Sequence, residues 1–289
     1  KQAGAHVTVV DARRGNSVVG GLVQQAQMAG VEILRGFVPI EAKGGLTVGG
    51  LVVRQMVGDK ASGQQRNLVC DAVGMAGGWN PAIHLYSHSG GKARWNDAAV
   101  CFTPGVAMPH QFNVGACNAT WTLSQALIDA SHAGTQAAIR AGFPATAADF
   151  QVVEPAVEAI SAFWIAETGE PVSRRAKAFV DYQNDVGASD IELAIREGFE
   201  SIEHIKRYTT TGMATDQGKL GNVNAIAILA EATGKSMEQV GTTTFRPYYT
   251  PVSFGAFAGP FHGHHFQPVR KTPLHDWADE LGAVFVETG

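Results

Sequence analysis

Residues 189–232, SDIELAIREGFESIEHIKRYTTTGMATDQGKLGNVNAIAILAEA, decide how the rest of the chain is read. Ser189 followed by Glu192 has the S-x-x-E spacing of a capping box, and Gly198 supplies a stop, so a helix is expected between them. Ser201 opens a second helix, which carries His204, Lys206 and Arg207. A third presents Ile226, Leu229 and Ala230 on one face and ends at Gly234, after which Ser236 and Gln239 repeat the capping-box pattern. Between the second and third helices lies TTTGMATDQGKLGN, residues 209–222, too polar for core and too patterned for a spacer. Its hydroxyls, glycines and Lys219 stand just ahead of a helix N-terminus, where unpaired backbone N–H groups and the helix dipole favour an anion. A phosphate-bearing ligand is the expected occupant.

Around this centre, 289 residues suit about two domains of ~100–200 residues each. Hydrophobic residues at 45%, charged residues at 17% and 34 glycines describe an α/β protein rich in turns. A formal charge of −4 leaves no excess of Lys and Arg to displace phosphate counterions, so no nucleic-acid partner is expected. No apolar run reaches the ~20 residues of a transmembrane helix, so no membrane partner is expected either. Cys70, Cys101 and Cys117 are odd in number and widely spaced, which supports neither a disulfide framework nor a zinc ribbon, and a reducing cytoplasm is the expected setting. The opening KQAGAHVTVVDARRG and the closing ELGAVFVETG, a strand just begun, both read as the middles of domains, so a fragment of a longer polypeptide is expected.

The first part of the chain reads as a dinucleotide-binding fold. AHVTVVDA, residues 5–12, is a short β-branched run ending in an acid, the pattern of a buried parallel strand. An acid there hydrogen-bonds an adenosine ribose in dinucleotide-binding βαβ units, which makes Asp11 a candidate for NAD. Arg13 and Arg14 would instead meet a 2′-phosphate, so NAD against NADP stays open, as does a solvated strand-end acid. The Gly-rich loop that completes such a unit lies outside the sequence. LVQQAQMAG (22–30) has helical spacing and a Gly stop, and the runs 31–45, 46–58 and 66–78 read as strands between Gly-rich turns. Leu123, Ala126, Leu127, Ala130, Ala133 and Ala137 place a helix against a sheet, with His132 as a surface or packing residue. PATAADF (144–150) reads as a linker and residues 155–167 as a helix. Met28, Met56, Met75, Met108 and Met237 read as packing, and the H-x-H-H run at His262, His264 and His265 as a linker or subunit contact, since its spacing fits no common zinc site.

Several of these segments also resemble known families. VCDAVGMAGGWNP (69–81, including Gly77) resembles the crossing strand of two-dinucleotide-domain flavoproteins of the glutathione-reductase type. NVGACNATW and the helix after it (113–142) resemble the segment that ends such domains. There Gly115 is followed by Ala116 and Cys117 where that family commonly has Gly-Asp against a flavin, so a nicotinamide dinucleotide or no ligand is as good a reading. The helical part resembles the [2Fe–2S] domain of bacterioferritin-associated ferredoxin. Aligned on Val186, Gly212, Met213, Gln217 and Gly218, its four cysteine positions are Asp181, Gln183, Asp216 and Gly221. Every thiolate is replaced, so no iron–sulfur cluster is expected. An oxygen-ligand metal site from Asp181 and Asp216 is the rival of plain solvated or capping carboxylates. RKTPLHDWADELGA (270–283) resembles the start of the aminomethyltransferase folate domain, and FRPYYTPVSFGAFAG (245–259) the joint before it.

This order of parts is similar to that of the heterotetrameric sarcosine oxidase family, in its alpha subunit. The resemblance implies an α/β chain in three parts. These are a Rossmann-like FAD/NAD(P)-binding part (1–145), a small ferredoxin-like helical domain without cysteines (146–243), and a linker with the start of a folate domain (244–289). It also implies a flavin-dependent oxidoreductase in which a beta subunit carries FAD, with smaller gamma and delta subunits, and in which FMN lies at the alpha–beta interface. The alpha subunit holds NAD, and tetrahydrofolate through its C-terminal domain. Sarcosine is the implied substrate, oxidised in the beta subunit with O₂ reduced to H₂O₂. On this reading no residue of the chain is catalytic. Thr209, Thr210, Thr211, Gly212, Met213, Thr215, Gln217 and Lys219 line the FMN side of the interface. The rival reading is a non-catalytic scaffold for a partner flavoprotein, as in related heteromeric dehydrogenases.

Overall fold

A βαβ unit opens the structure. Strand β1 (Thr8–Asp11) is followed by helix α1 (Gly21–Met28) and by β2 (Glu32–Arg35), which pairs parallel to β1 with Asp11 opposite Arg35. The computed structural model describes residues 1, 3–14, 21–154, 160–260, 263 and 270–286. The run expected as one strand over 31–45 is two. Gly36, whose N–H donates to the carbonyls of Asp11 and Arg13, turns the chain out of β2 into β3 (Phe37–Gly44). That strand begins an antiparallel meander with β4 (Val48–Gln55) and β5 (Gln65–Val69), in which alternate side chains of β4, such as Val53, close a small core with Leu34 and Phe37.

The crossing strand expected over residues 69–81 does not form. Beyond β5 the backbone is irregular, and residues 71–80, Gly77 among them, are all exposed. Three glycines in that run raise the entropy cost of an extended segment, and no described strand stands beside it to repay that cost. Short helix α2 (His84–His88) leads to a hairpin of β6 (Ala93–Asn96) and β7 (Cys101–Pro104).

The long helix expected after residue 120 is present as α3 (Leu123–Arg140), but its small-residue face is not packed on a sheet. Ala126, Leu127 and Ala133 are half-buried, whereas Leu123, Ala130 and Ala137 are exposed. Its N-terminus is closed by the Thr122 hydroxyl, which accepts from the Gln125 N–H, and by the Glu154 carboxylate, which accepts from the N–H groups of Leu123 (2.7 Å) and Ser124 (2.9 Å). The helix expected over 155–167 is absent from its described part: 160–167 is irregular. There the Ala61 N–H donates to the Glu167 carbonyl while Ala166 packs beside Val38, Met56 and Ala61, so sheet pairing wins over local propensity. Of the methionines read as packing, Met56 is buried, but Met28 and Met75 are exposed.

The helical part starts with the small ladder of β8 (Phe179–Asp181) and β9 (Val186–Gly187), then α4 (Ala188–Arg196), α5 (Ile202–Thr209), α6 (Asn222–Thr233) and α7 (Met237–Val240). The first cap differs from expectation. Gly187 is the N-cap, and its N–H donates to the Asp190 carboxylate, so Ser189 already lies inside α4. The other boundaries follow the sequence: Gly198 turns with positive φ after α4, Ser201 precedes α5, Gly234 ends α6, and Ser236 with Gln239 forms both bonds of a capping box. Val180, Val186, Ile191, Ile205, Ile226 and Leu229 form the main core here, each worth about 1.5–3 kcal/mol of burial. Helix α6 is buried along Ala225–Ala230 rather than on one face.

Lys1–Tyr249 forms one compact unit and Thr250–Gly289 a second. The second contains α8 (Phe254–Ala258) and α9 (His275–Glu280), with the His275 ring stacked 4.0 Å from that of Phe285. Residues 283–286 are irregular rather than strand, and the His262, His264 and His265 run lies outside the described residues.

Candidate functional site

The loop between α5 and α6 is built on one buried carboxylate. Asp181, at the end of β8, accepts the N–H groups of Gln183 (2.9 Å) and Asn184 (3.0 Å) on one oxygen, and that of Gly212 (2.7 Å) on the other. Burial raises its carboxyl pKa, but the three N–H donors outweigh that and hold it below the ordinary value. Gln183 extends the grip: its amide oxygen accepts the Asp216 N–H at 3.0 Å and its amide nitrogen donates to the Thr215 hydroxyl at 3.1 Å. Asn184 donates to the Thr210 carbonyl.

Two glycines let the loop close on α6. Gly212 and Gly218 have φ of +69° and +74°, and a Cβ on either would stand within 2.4 Å of the Asn222 side chain. Asn222 in turn donates to the Thr243 hydroxyl. The threonine hydroxyls turn inward. Thr209 donates to the Ile205 carbonyl and shares a 2.7 Å hydrogen bond with Thr211, and Thr210 donates to the Thr209 carbonyl. Gln217 donates to Ala214. Lys219 reaches the carbonyls of Tyr249 (2.6 Å) and Asp216 (3.2 Å), with its ammonium 4.0 Å above the Tyr249 ring. It clamps the loop to Tyr249.

The same ring meets a residue from far upstream. His84 on α2 lies 4.8 Å from Tyr249, its Nδ1 buried and without a partner among the described residues. Burial lowers its pKa, and the charges of His88 and Lys219 lower it further, so the imidazole is held neutral. One carboxylate oxygen of Asp216 is likewise buried without a partner among the described residues, and burial, then the Asp216 charge, raise the Tyr249 phenol.

Asp181, Gln183 and Asp216 are joined in a polar knot, with Gly221 close to it. Both oxygens of Asp181 are occupied, and a Cβ on Gly221 would stand 2.3 Å from the Val180 carbonyl oxygen. Among the described residues no group of three His, Cys, Asp or Glu side chains is placed to hold a metal ion. What remains open to a ligand is the start of α6. Gly221 caps it without a side chain, its first turn has no acid, and Asn222, Val223 and Asn224 are half-exposed. Met213 and Leu220, exposed at 51% and 69%, flank it in sequence. The Asn222 N–H already donates to the Gly218 carbonyl at 3.0 Å, which leaves those of Val223 and Asn224 at the start of the helix.

The other predicted positions do not join this site. Asp11 and Arg13 satisfy each other, the guanidinium donating to both carboxylate oxygens at 3.0 and 2.9 Å. Burial would raise Asp11, but the bonds and charge of Arg13 with the charge of Arg35 hold it low. Gly77 lies in the exposed segment, and Gly115, in a 3₁₀ turn, faces Ala126 of α3. His84, Asn184, Thr243 and Tyr249 were not singled out from sequence. No local pattern marks them, because each matters only through a partner 21 to 165 residues away (Tyr249, Thr210, Asn222 and Lys219).

Comparison with known proteins places this geometry. Residues 175–260 match the family described as "Sarcosine oxidase A3 domain". The sarcosine oxidase subunit alpha of Rhizobium meliloti is 43% identical over 280 residues, 94% of this chain and 27% of that protein. That of Corynebacterium sp. strain P-1 is 35% identical over 99% of this chain and 30% of its own length. The chain thus spans under a third of these relatives. Among solved structures, L-proline dehydrogenase from P. horikoshii superposes with a TM-score of 0.59 at 16% identity, over 86% of this chain and 49% of that one, a likeness of fold alone. Among the described residues no helix is long and apolar enough to cross a membrane. A mixed α/β chain carrying the A3 domain and similar along nearly all of its length to part of the sarcosine oxidase alpha subunit, this protein is a relative of that subunit.

Proposed function

We propose that the chain is part of the alpha subunit of a cytoplasmic, heterotetrameric sarcosine oxidase and forms one wall of a flavin site shared with the beta subunit. The whole enzyme would convert sarcosine to glycine at FAD in the beta subunit, reduce O₂ to H₂O₂, and pass the methyl carbon to tetrahydrofolate. The chain would span the end of the NAD-binding part (1–145), a ferredoxin-like helical domain without its cluster (146–243), and the lead-in to the folate domain (244–289). Gamma and delta subunits would complete the assembly.

The observation that carries this reading is the start of α6: a helix of 12 residues with a glycine N-cap and no acid in its first turn, held by the Asp181 knot. There the N–H groups of Val223 and Asn224 would take the FMN phosphate, while Met213 and Leu220 would shield the ring from water. FMN supplies the electron transfer to O₂. Thr209–Thr211, Gly212, Thr215, Gln217 and Lys219 would shape the loop from behind, since their polar groups are spent on one another, on Asp181 and Gln183, on nearby carbonyls and on Tyr249. That inward turn also favours the rival, a scaffold that binds a flavoprotein partner without holding FMN. The proposed NAD contacts, Asp11 with Gly77 and Gly115, would require Arg13 to release the Asp11 carboxylate.

Asn224→Glu separates the readings. An acid in the first turn suits the helix dipole, so folding is kept, but it repels a phosphate. Flavins released from the assembled enzyme would be FMN and FAD for the parent, and FAD alone for the variant. Retention of both by the variant would refute the α6 site, and a parent complex holding only FAD would leave the scaffold.

A further inference from the structure

Tyr249 is the last residue of the first compact unit, and Thr250 begins the second. Side chains from distant parts of the chain hold it there. The Lys219 ammonium donates to its carbonyl at 2.6 Å and stands 4.0 Å over its ring. The Phe245 ring meets it edge-on at 5.0 Å, and the His84 imidazole lies along it at 4.8 Å, tilted by 32°. His84 comes from α2, Lys219 from the α5–α6 loop and Phe245 from the segment after α7, so one half-buried tyrosine gathers all three.

Of these side chains only His84 changes its charge near neutral pH. Its surroundings suit the neutral ring. In the cation, the buried Nδ1 is a donor with no acceptor among the described residues. The charges that act on the imidazole are both positive: His88, one turn on along α2 with its ring 5.9 Å away, and Lys219 from the loop. The Asp216 charge acts on the Tyr249 phenol. Nor does the tyrosine ring repay a second cation, since the Lys219 ammonium already stands over it.

We infer that His84 is a proton-operated catch on the segment that leads out of the first unit. Neutral, it packs on Tyr249 and keeps that residue under Lys219. Protonated, it leaves the ring, and residues 245–249 lose their hold. The closed form binds the proton less readily than the open one, so the catch is shut above the ordinary histidine value of 6.5. Below that value the closed-to-open ratio falls by up to about tenfold per pH unit. The device is independent of whether the start of α6 holds a flavin.

Hydroxyl-radical footprinting of the assembled enzyme tests the catch, with the exposed neighbour Tyr248 as internal reference. In the parent, oxidation of Tyr249 relative to Tyr248 is expected to rise about twofold or more between about pH 7.5 and about pH 5.5. His84→Phe keeps a ring on Tyr249 without a titrating group, so its ratio should stay low throughout. His84→Gln, which is smaller and suits a site that rejects the larger ring, should also be flat with pH. His88→Gln removes one of the two positive charges, so its rise should begin at higher pH. A flat ratio in the parent, or a rise that survives both His84 substitutions, would overturn the catch. So would a His88→Gln rise displaced to lower pH, or an equal change in peptides from β3–β5, which would mean that the whole unit loosens.

Discussion

Asp181→Asn tests the knot that shapes the α5–α6 loop. The carbonyl of an asparagine keeps the bonds from the Gln183 and Asn184 N–H groups, but its NH₂ then faces the Gly212 N–H, donor against donor, at a place where the carboxylate accepted at 2.7 Å. Losing one hydrogen bond to a charged acceptor costs about 1.5–3 kcal/mol, and Gly212 is buried, so water does not replace it. The Gly212 amide should therefore exchange hydrogen about tenfold to a hundredfold faster at pH 7, read by mass spectrometry on peptides covering 209–215, while peptides from β3–β5 are unchanged. The pH dependence follows from the lowered carboxyl. A depressed folded pKa gives stability that is complete above the ordinary value of 3.8 and is lost as pH falls through the lower folded value. The difference between parent and variant should thus hold from neutral pH to about 4 and shrink below it. Equal exchange at pH 7, or a difference that persists unchanged in acid, would refute the argument that a charged Asp181 holds the loop.

Two other outcomes rest on single contacts. Glu154→Gln weakens the acceptor for the first N–H groups of α3 and should destabilise that helix by about 0.5–2 kcal/mol, seen as faster exchange in residues 123–128 with α4–α6 unaffected. His84, held neutral mainly by burial, binds its proton less readily folded than unfolded. Stability is therefore lost as pH falls below the ordinary value of 6.5, and His84→Gln should flatten the pH dependence of urea unfolding between about pH 7 and 5. An unchanged slope would mean that the His84–Tyr249 contact does not control that protonation.

Local chemistry was legible wherever the signal and the structure span the same few residues. The Ser236–Gln239 box and the glycine stops at Gly198 and Gly234 need only their neighbours in sequence to form, and the apolar spacing that marks β1 and the long α3 helix is equally local. The sequence pattern also marked the 209–222 loop as more than a spacer, because glycines and hydroxyls at that density precede a helix. By itself, then, the sequence determined where most helices begin and end, that the chain is mixed α/β, and which subunit family it resembles.

Tertiary structure decided what those pieces are used for. The hydroxyls of Thr209–Thr211 and the Lys219 ammonium look outward-going in sequence, yet Ile205, Tyr249 and Asp216 supply acceptors that spend them internally. Asp11 and Arg13 looked like rival ligands for a ribose and its phosphate, and they pair with each other. Residues 160–167 and 69–81 each took irregular backbone against expectation, the first because Ala61 offers a strand-like partner and the second because no strand does. Burial and hydrogen-bond partners are properties of distant residues meeting, and an unpaired N–H, a buried carboxylate or an open indole acquires its energy only from what stands beside it. The sequence marked the start of α6, but only the folded chain shows that the loop ahead of it turns its polar groups inward.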